Sequence, residues 1–332
     1  MKGKNKVSRR EFNTQLAKGA IGLGALGTLS SYVPGFKDTP GSNTYIDIHH
    51  HIGNYLMTDV DKFSFDPILK WMDSFNVSKS IMLTSIQHPE SYYAGRSTSI
   101  ISNEEMLEMF AAISDRLIPF CVVHPDAYSS INEIVKVLRR FKDKGVRGFG
   151  ELKPKNKEGD PRYMPINDPA MNRIYAACAK VDFPVLIHID DSHAVDVPGL
   201  PGLEDVLKSF PEVNFLAHAN GWWNSVSGDA SSLKGYPKGK VTEGGAALRL
   251  LEEYPNLYGD LSANSGLNAV TRDPKFGVKF LNDFSDKLLF GTDALGNKGG
   301  EKHFDFYNNL DLSDLVKNKI FKENTRSLLN IA

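Results

Sequence analysis

Residues 45–53 of the 332-residue chain read YIDIHHHIG. Isoleucines alternate with polar residues in this stretch, which is the period-two pattern of a β-strand. On a regular strand Asp47, His49 and His51 would share one face, and His50 would lie on the other face with the isoleucines. Two imidazoles, those of His49 and His51, would then converge at one strand end. A divalent metal ion can use that arrangement directly.

Short β-type runs alternate with amphipathic helical runs along the rest of the chain. The strand candidates lie at 45–49, 80–84, 117–123, 148–152, 185–188, 214–218, 257–261 and 288–290. The helix candidates lie at 66–75, 103–113, 131–142, 169–181, 203–210, 245–254, 275–284 and 313–329. Eight such units in series favour a closed barrel over an open sheet, and no glycine-rich dinucleotide motif follows the first strand. We therefore predict an α/β fold, a single-domain (β/α)8 TIM barrel over residues 44–332.

Metal-binding residue types recur at the ends of other predicted strands. His188 and His218 each end an apolar run, Glu151 lies in the run at 148–152, and Asp293 follows the last strand. The carboxyl ends of all barrel strands open onto one face, where active sites of this fold lie. Any one of these residues alone could be a core histidine, a surface acid or a turn cap. Ionisable groups at the ends of apolar runs are costly without a partner, so the set as a whole indicates a metal site. Its candidate ligands are His49, His51, Glu151, His188, His218 and Asp293.

The order of these motifs resembles the amidohydrolase superfamily, specifically its amidohydrolase-2 branch, which includes hydrolases and metal-dependent decarboxylases. The closing run KIFKENTRSLL at 319–329 is similar to the last helix of that branch. The resemblance covers roughly residues 44–331. It implies that His49, His51, His188 and Asp293 are the core metal ligands, and that Asp293 also handles the proton of the attacking water.

Two positions separate the subtypes within this branch. In binuclear members the histidine that corresponds to His218 is a metal ligand, whereas in mononuclear decarboxylase-like members it acts as an acid or electrostatic group beside the substrate. Many binuclear members also carry a bridging glutamate or carboxylated lysine on the fourth strand, where this chain has Glu151 and Lys153. We favour Glu151 as the bridge, with Lys153 binding a substrate carboxylate or oxyanion. A carboxylated Lys153, or a plain salt bridge between the two residues, are the alternatives. Asp47 would either orient the ring of His49 or His51, or have a structural role in a turn.

The resulting hypothesis is a metal-dependent hydrolase that uses metal-activated water on a small carbonyl substrate, an ester, lactone or amide. One or two divalent ions are expected, with zinc favoured. The alternatives are a non-oxidative, metal-dependent decarboxylase of an unsaturated or aromatic acid, and a non-catalytic exported metal-binding barrel. Asp293 and His218 are the candidate catalytic residues.

Substrate contacts are expected from loops at the same barrel end. An irregular stretch at 219–242 contains Trp222 and Trp223, which either line the substrate cleft or only pack this loop onto the barrel rim. Lys153 is the third candidate for substrate binding. The loops at 87–93 and 190–193 are further candidates.

The N-terminus differs in kind from the barrel. Residues 1–35 combine lysines, an Arg9-Arg10 pair and a weakly apolar Gly/Ala-rich run, and they resemble a twin-arginine export signal. A linker at 36–43 follows, and a periplasmic or other extracytoplasmic location is expected without a stable membrane anchor. The net charge of −1 gives no electrostatic reason to expect nucleic acid as a partner. A small-molecule substrate is expected, and a homo-oligomer is compatible with the sequence.

Overall fold

The computed structural model describes residues 44–52, 65–84, 103–110, 115–154 and 164–331. These residues belong to one compact unit. The predicted export signal at 1–35, the linker at 36–43 and the loop at 87–93 lie outside the described ranges. Among the described helices, none is long and apolar enough to cross a bilayer.

Parallel strands form the centre of the molecule. They are β1 (Tyr45–His51), β2 (Val77–Leu83), β3 (Leu117–Cys121), β4 (Gly148–Leu152), β5 (Met164–Pro165), β6 (Val185–Asp190), β7 (Ala194–Val195), β8 (Phe215–His218), β9 (Leu257–Asp260), β10 (Leu288–Leu289) and β11 (Ala294–Leu295). The hydrogen-bonded order is β10-β9-β8-β6-β4-β3-β2-β1-β11, and β5 and β7 form a short extension beside β6.

The barrel closes through its last strand, which is interrupted between β10 and β11. β10 pairs with β9 on one side, and β11 pairs with β1 on the other. The interruption itself also bonds to β1, because the Ile48 amide donates to the Phe290 carbonyl and the Asp293 amide donates to the His49 carbonyl. The predicted (β/α)8 barrel is therefore confirmed.

Helices surround the sheet. They are α1 (Asp66–Ser74), α2 (Asn103–Phe110), α3 (Ile131–Asp143), α4 (Pro169–Val181), α5 (Pro201–Ser209), α6 (Ala219–Asn224), α7 (Ala246–Glu253), α8 (Ala263–Thr271), α9 (Pro274–Asp283), α10 (Glu301–Asn308), α11 (Asp314–Asn318) and α12 (Asn324–Leu329), with a π-helical turn at Lys319–Glu323. α3 shows why such segments form. Its Ser130 and Glu133 make a reciprocal capping box, and its buried residues recur at helical spacing. Sequence reasoning missed α6, α8 and α10, which are short.

Apolar side chains alternate between two clusters along the strands. Ile46 and Ile48 belong to a small cluster that draws Ile81, Phe120, Leu186, Leu216 and Leu289 from other strands around the barrel. Their neighbours, such as Tyr45 and Phe290, belong to the large cluster that also includes helix residues. The first cluster fills the barrel interior, and the second packs the helices onto the sheet.

Two strands carry a bulge at the end where the polar residues gather. Asp47 of β1 pairs with Ser80 of β2, but His50 pairs with Met82, so three residue steps on β1 oppose two on β2. β4 shows the same irregularity against β6 between Phe149 and Leu152. A bulge re-aims the side chains beyond it. The predicted convergence of His49 and His51 is seen, but the predicted placement of Asp47 on their face is wrong, since Asp47 lies beside His50, with 3.6 Å between Asp47 Oδ2 and His50 Nδ1.

Candidate metal centre

Two histidines of β1 meet side chains from other strands at the open end of the barrel. His49 Nε2 and His51 Nε2 are 3.2 Å apart. Asp293 Oδ1 lies 3.2 Å from His51 Nε2 and 3.4 Å from His49 Nε2. Glu151 Oε2 lies 3.5 Å from His51 Nε2.

These spacings match the donor set of a bound divalent metal. Donor atoms held at roughly 2.1 Å from one ion in tetrahedral or octahedral geometry stand about 3.0–3.5 Å from each other. Two imidazole nitrogens at hydrogen-bond distance, with two carboxylates beside them, are also the donor types that zinc and related ions prefer. His49, His51, Glu151 and Asp293 therefore fit a metal ion.

The carboxylate of Glu151 reaches two groups of donors. Its Oε2 faces His51, whereas its Oε1 lies 2.5 Å from His188 Nδ1 and 3.9 Å from His218 Nε2. The side chain is only 5% exposed. Burial alone would raise the pKa of Glu151, but the Lys153 ammonium and the His188 imidazole lower it well below its ordinary value. Glu151 is thus an anion shared by His49 and His51 on one side and by His188 and His218 on the other.

His188 is held between two carboxylates. Its Nδ1 faces Glu151, and its Nε2 lies 3.0 Å from Asp190 Oδ2. The same Asp190 oxygen lies 2.7 Å from His193 Nδ1. Burial would raise the pKa of Asp190, but its hydrogen bonds with His188 and His193 lower it. The structure thus brings His188 to Glu151 and His218.

His218 lies between these two groups. Its ring centre is 4.4 Å from that of His49 and 5.4 Å from that of His188. Its Nδ1 lies 3.0 Å from Ser262 Oγ and 3.3 Å from Asp260 Oδ2. The position is compatible with both roles considered for His218, metal ligand and acid.

Asp293 lies in the interruption of the last strand, directly before β11. Its backbone is left-handed, with φ at 59°, and its side chain is 33% exposed. Burial would raise its pKa, but the hydrogen bond from His51 and the nearby His49 imidazole lower the pKa to about 2. A strained conformation at the rim of a donor set is typical of functional residues.

Asp47 supports the strand that carries Asp293 and does not touch the imidazole of His49 or His51. It accepts hydrogen bonds from the Thr292 amide at 3.0 Å, from the Thr292 hydroxyl at 2.6 Å and from the His49 amide at 3.1 Å. Burial raises the pKa of Asp47 to about 7. The expected role of Asp47 in orienting a ligand ring is therefore not seen.

The three residues expected to bind substrate are placed differently from one another. Lys153 is half-buried just beyond β4, and within the described part of the chain it forms no ion pair. Trp222 and Trp223 are 0% and 1% exposed, and Trp223 Nε1 donates to the Asp260 carbonyl at 2.9 Å. The structure does not bring either tryptophan to an open cleft. Both tryptophans belong to α6, which packs directly against β6. This close approach requires glycine at Gly221, because a Cβ there would lie 2.7 Å from the Ile189 carbonyl oxygen.

Sequence reasoning missed one acid of this region. Asp260 ends β9, is 0% exposed, and lies 2.7 Å from His49 Nδ1. The signal was available, because Asp260 is a polar residue in the apolar run 257–261, as Glu151 is in its own run.

Comparison with known proteins gives a family and a fold. The family model described as Amidohydrolase matches residues 46–331. No curated protein matches the chain.

Solved structures with the same fold are distant in sequence. An uncharacterised TIM-barrel protein from Bordetella bronchiseptica is 15% identical with a TM-score of 0.60, over 86% of this chain and 98% of that one. The 5-carboxyvanillate decarboxylase from Novosphingobium aromaticivorans, complexed with manganese, is 14% identical with a TM-score of 0.56, over 88% and 97%. A proposed 2-pyrone-4,6-dicarboxylic acid hydrolase from Pseudomonas putida is 14% identical with a TM-score of 0.54, over 87% and 98%. At such identities the likeness shows the fold alone.

Proposed function

Because this chain belongs to the amidohydrolase family, whose members are metal-dependent enzymes, we propose that it is a hydrolase of a small ester, lactone or amide with two metal ions bridged by Glu151. One observation carries the proposal. The two oxygens of the buried Glu151 carboxylate face different donor groups, His51 on one side and His188 with His218 on the other. A carboxylate placed in this way is suited to bridge two ions, since each oxygen can serve one of them.

The chain's own groups supply the remaining chemistry. Bound metal would lower the pKa of a water to about 7 and polarise the scissile carbonyl. Asp293, the most exposed of the acids in the donor set, accepts the proton of the attacking water and returns it to the leaving group. Lys153, which forms no ion pair with the residues that the structure describes, binds a carboxylate or the developing oxyanion of the substrate. Zinc is proposed because imidazole and carboxylate donors at these spacings suit it.

A metal-dependent decarboxylase is the second candidate. Decarboxylases complexed with manganese are among the proteins that share this fold, the enzyme from Novosphingobium aromaticivorans included. His218 lies beside His49 as such an acid group would. Glu151 argues against this function, because a single ion beside His49 and His51 would leave its other oxygen, with His188 and His218, without a metal.

Metal content separates the two candidates. We expect elemental analysis of protein purified without chelators to give two ions per wild-type chain and at most one per chain of Glu151→Gln. Glu204→Gln, at a carboxylate on α5 that is bonded to Arg249 outside the centre, is the matched control and should keep both ions.

The same preparation is then assayed against esters, lactones and amides, and separately for carbon dioxide release from aromatic acids. One ion in both wild type and Glu151→Gln would reject the bridge. Carbon dioxide release without any hydrolysis would replace the proposed function by the second candidate.

A further inference from the structure

One fully buried carboxylate outside the donor set contacts two of the histidines that surround it. Asp260 is 0% exposed. Its Oδ2 lies 2.7 Å from His49 Nδ1 and 3.3 Å from His218 Nδ1, and it accepts a hydrogen bond from the Ser262 hydroxyl at 3.0 Å. A single oxygen of Asp260 therefore contacts His49, which lies on one side of Glu151, and His218, which lies on the other side.

We propose that Asp260 is a positioning residue that fixes the tautomers of both His49 and His218, so that both rings present an Nε2 lone pair to the metal centre. The proposal rests on the proposed function only in requiring that metal binds at His49. It adds a residue that lies outside the predicted set of metal ligands, and it makes both metal binding and the ring orientation of His218 depend on one carboxylate.

His49 shows the effect most directly. An ionised carboxylate only accepts hydrogen bonds, so the contact at 2.7 Å requires the proton of the His49 ring to be on Nδ1. In the neutral ring, which is the form that binds a metal, Nε2 is then the lone-pair nitrogen, and it is Nε2 that lies near His51 and Asp293. Carboxylates that hold metal-binding histidines in this way orient the ring and increase its basicity.

His218 is connected to the same oxygen through Ser262. The Ser262 hydroxyl donates its proton to Asp260 Oδ2, so the hydroxyl oxygen can only accept from His218 Nδ1, 3.0 Å away. The proton of His218 is therefore also on Nδ1. Its Nε2 lone pair is left to face Glu151 and the centre.

The carboxylate of Asp260 cannot rotate out of this arrangement. Its Oδ1 accepts from the Ser262 amide at 2.9 Å, and its backbone carbonyl accepts from Trp223 Nε1. A Cβ at Gly291 would lie only 2.6 Å from Oδ1, so the backbone between β10 and β11 packs directly against the carboxylate. Coulombic attraction to His49 and His218 lowers the pKa of Asp260 against the effect of burial.

The test compares three variants by chelator competition for metal, without substrate. Asp260→Asn keeps the size of the side chain but removes its charge, and we expect its metal affinity to fall by about 10–100-fold. Ser262→Ala removes the hydroxyl that contacts both His218 and Asp260 but leaves the contact between Asp260 and His49, so its metal affinity should fall less than that of Asp260→Asn, and it should lower kcat with little change in KM. Asp196→Asn is the matched control, and it should keep the wild-type affinity. Within the described ranges, the buried Asp196 carboxylate accepts hydrogen bonds only from the backbone amides of residues 197, 202 and 203.

Each result has a distinct meaning. Wild-type affinity in a folded Asp260→Asn protein overturns the positioning role, while metal in the wild type leaves the proposed function standing. A wild type that binds no metal removes both. If Asp260→Asn does not fold, long-range 15N–1H spectra of the histidine-labelled, zinc-loaded wild type report the tautomers without substitution. Two results would overturn the proposal: binding of zinc by Nδ1 of His49, or a proton on Nε2 of His218 when His218 binds no metal.

Discussion

A methyl group at Gly150 should damage the barrel and the metal centre together. Gly150 precedes Glu151 in the bulge of β4, and its φ of +146° is a conformation that residues with a Cβ rarely adopt. A Cβ there would lie 2.7 Å from the Leu186 carbonyl oxygen and 2.8 Å from the Leu186 Cβ. Both atoms belong to β6, so the two strands would have to separate.

The expected size follows from two separate costs. Backbone strain at such a φ costs about 1–3 kcal/mol. Insertion of a methyl into a packed site costs about another 1–3 kcal/mol. Gly150→Ala should therefore lower the free energy of unfolding by about 2–6 kcal/mol. Gly145→Ala is the matched control, because φ there is +98° but nothing lies within 4 Å of the added Cβ, so only the strain remains.

The assay is urea unfolding followed by circular dichroism, with linear extrapolation to water. Separation of β4 from β6 also moves Glu151 away from His188, so Gly150→Ala should lose metal while Gly145→Ala keeps it. Equal destabilisation of the two variants, or full metal content in Gly150→Ala, would refute the reasoning.

Three further predictions address single side chains. Trp223→Phe loses the hydrogen bond to the Asp260 carbonyl and should lower the free energy of unfolding by about 1–3 kcal/mol with no change in KM, whereas a raised KM would restore a role in substrate binding. Burial lowers the pKa of His303, whose ring bonds to the Ala263 carbonyl. As the pH falls, the unfolded chain is therefore protonated at this residue before the folded chain is, and the free energy of unfolding decreases below about pH 6.5. His303→Gln should therefore lose less stability than wild type between neutral and mildly acidic pH in urea titrations, and equal losses would contradict this assignment. Asp293→Asn should keep its circular dichroism spectrum and lose at least about 100-fold in kcat, and retained turnover would exclude Asp293 as the proton acceptor.

The barrel itself could be predicted from the sequence because its signal is local and repeated. Each strand is a short apolar run, and several of the runs carry an ionisable residue at or just beyond the end that opens onto the same face of the barrel. The gathering of His49, His51, Glu151 and Asp293 follows from that rule alone. Their functions as ligand, bridge or base stay predictions.

What could not be predicted depends on pairing between strands. The bulge in β1 is a property of its register against β2, so residues 45–53 alone gave the wrong face for Asp47. The burial of Trp222 and Trp223 depends on the close approach of α6 to β6, which no local pattern encodes. Helix α6 has weak intrinsic propensity, with Gly221 and two asparagines, and tertiary packing decides its conformation.

The interrupted last strand is joined to the first strand by contacts of long sequence separation. Asp47 and Thr292 are 245 residues apart, yet their hydrogen bonds join the first strand to the last beside Asp293. Contacts of such long sequence separation cost chain entropy and form late in folding. Asp293 therefore reaches His49 and His51 only after the first and last strands of the barrel have paired. We therefore expect the completed barrel to retain metal more tightly than a truncated or half-folded chain, which lacks Asp293 beside His49 and His51.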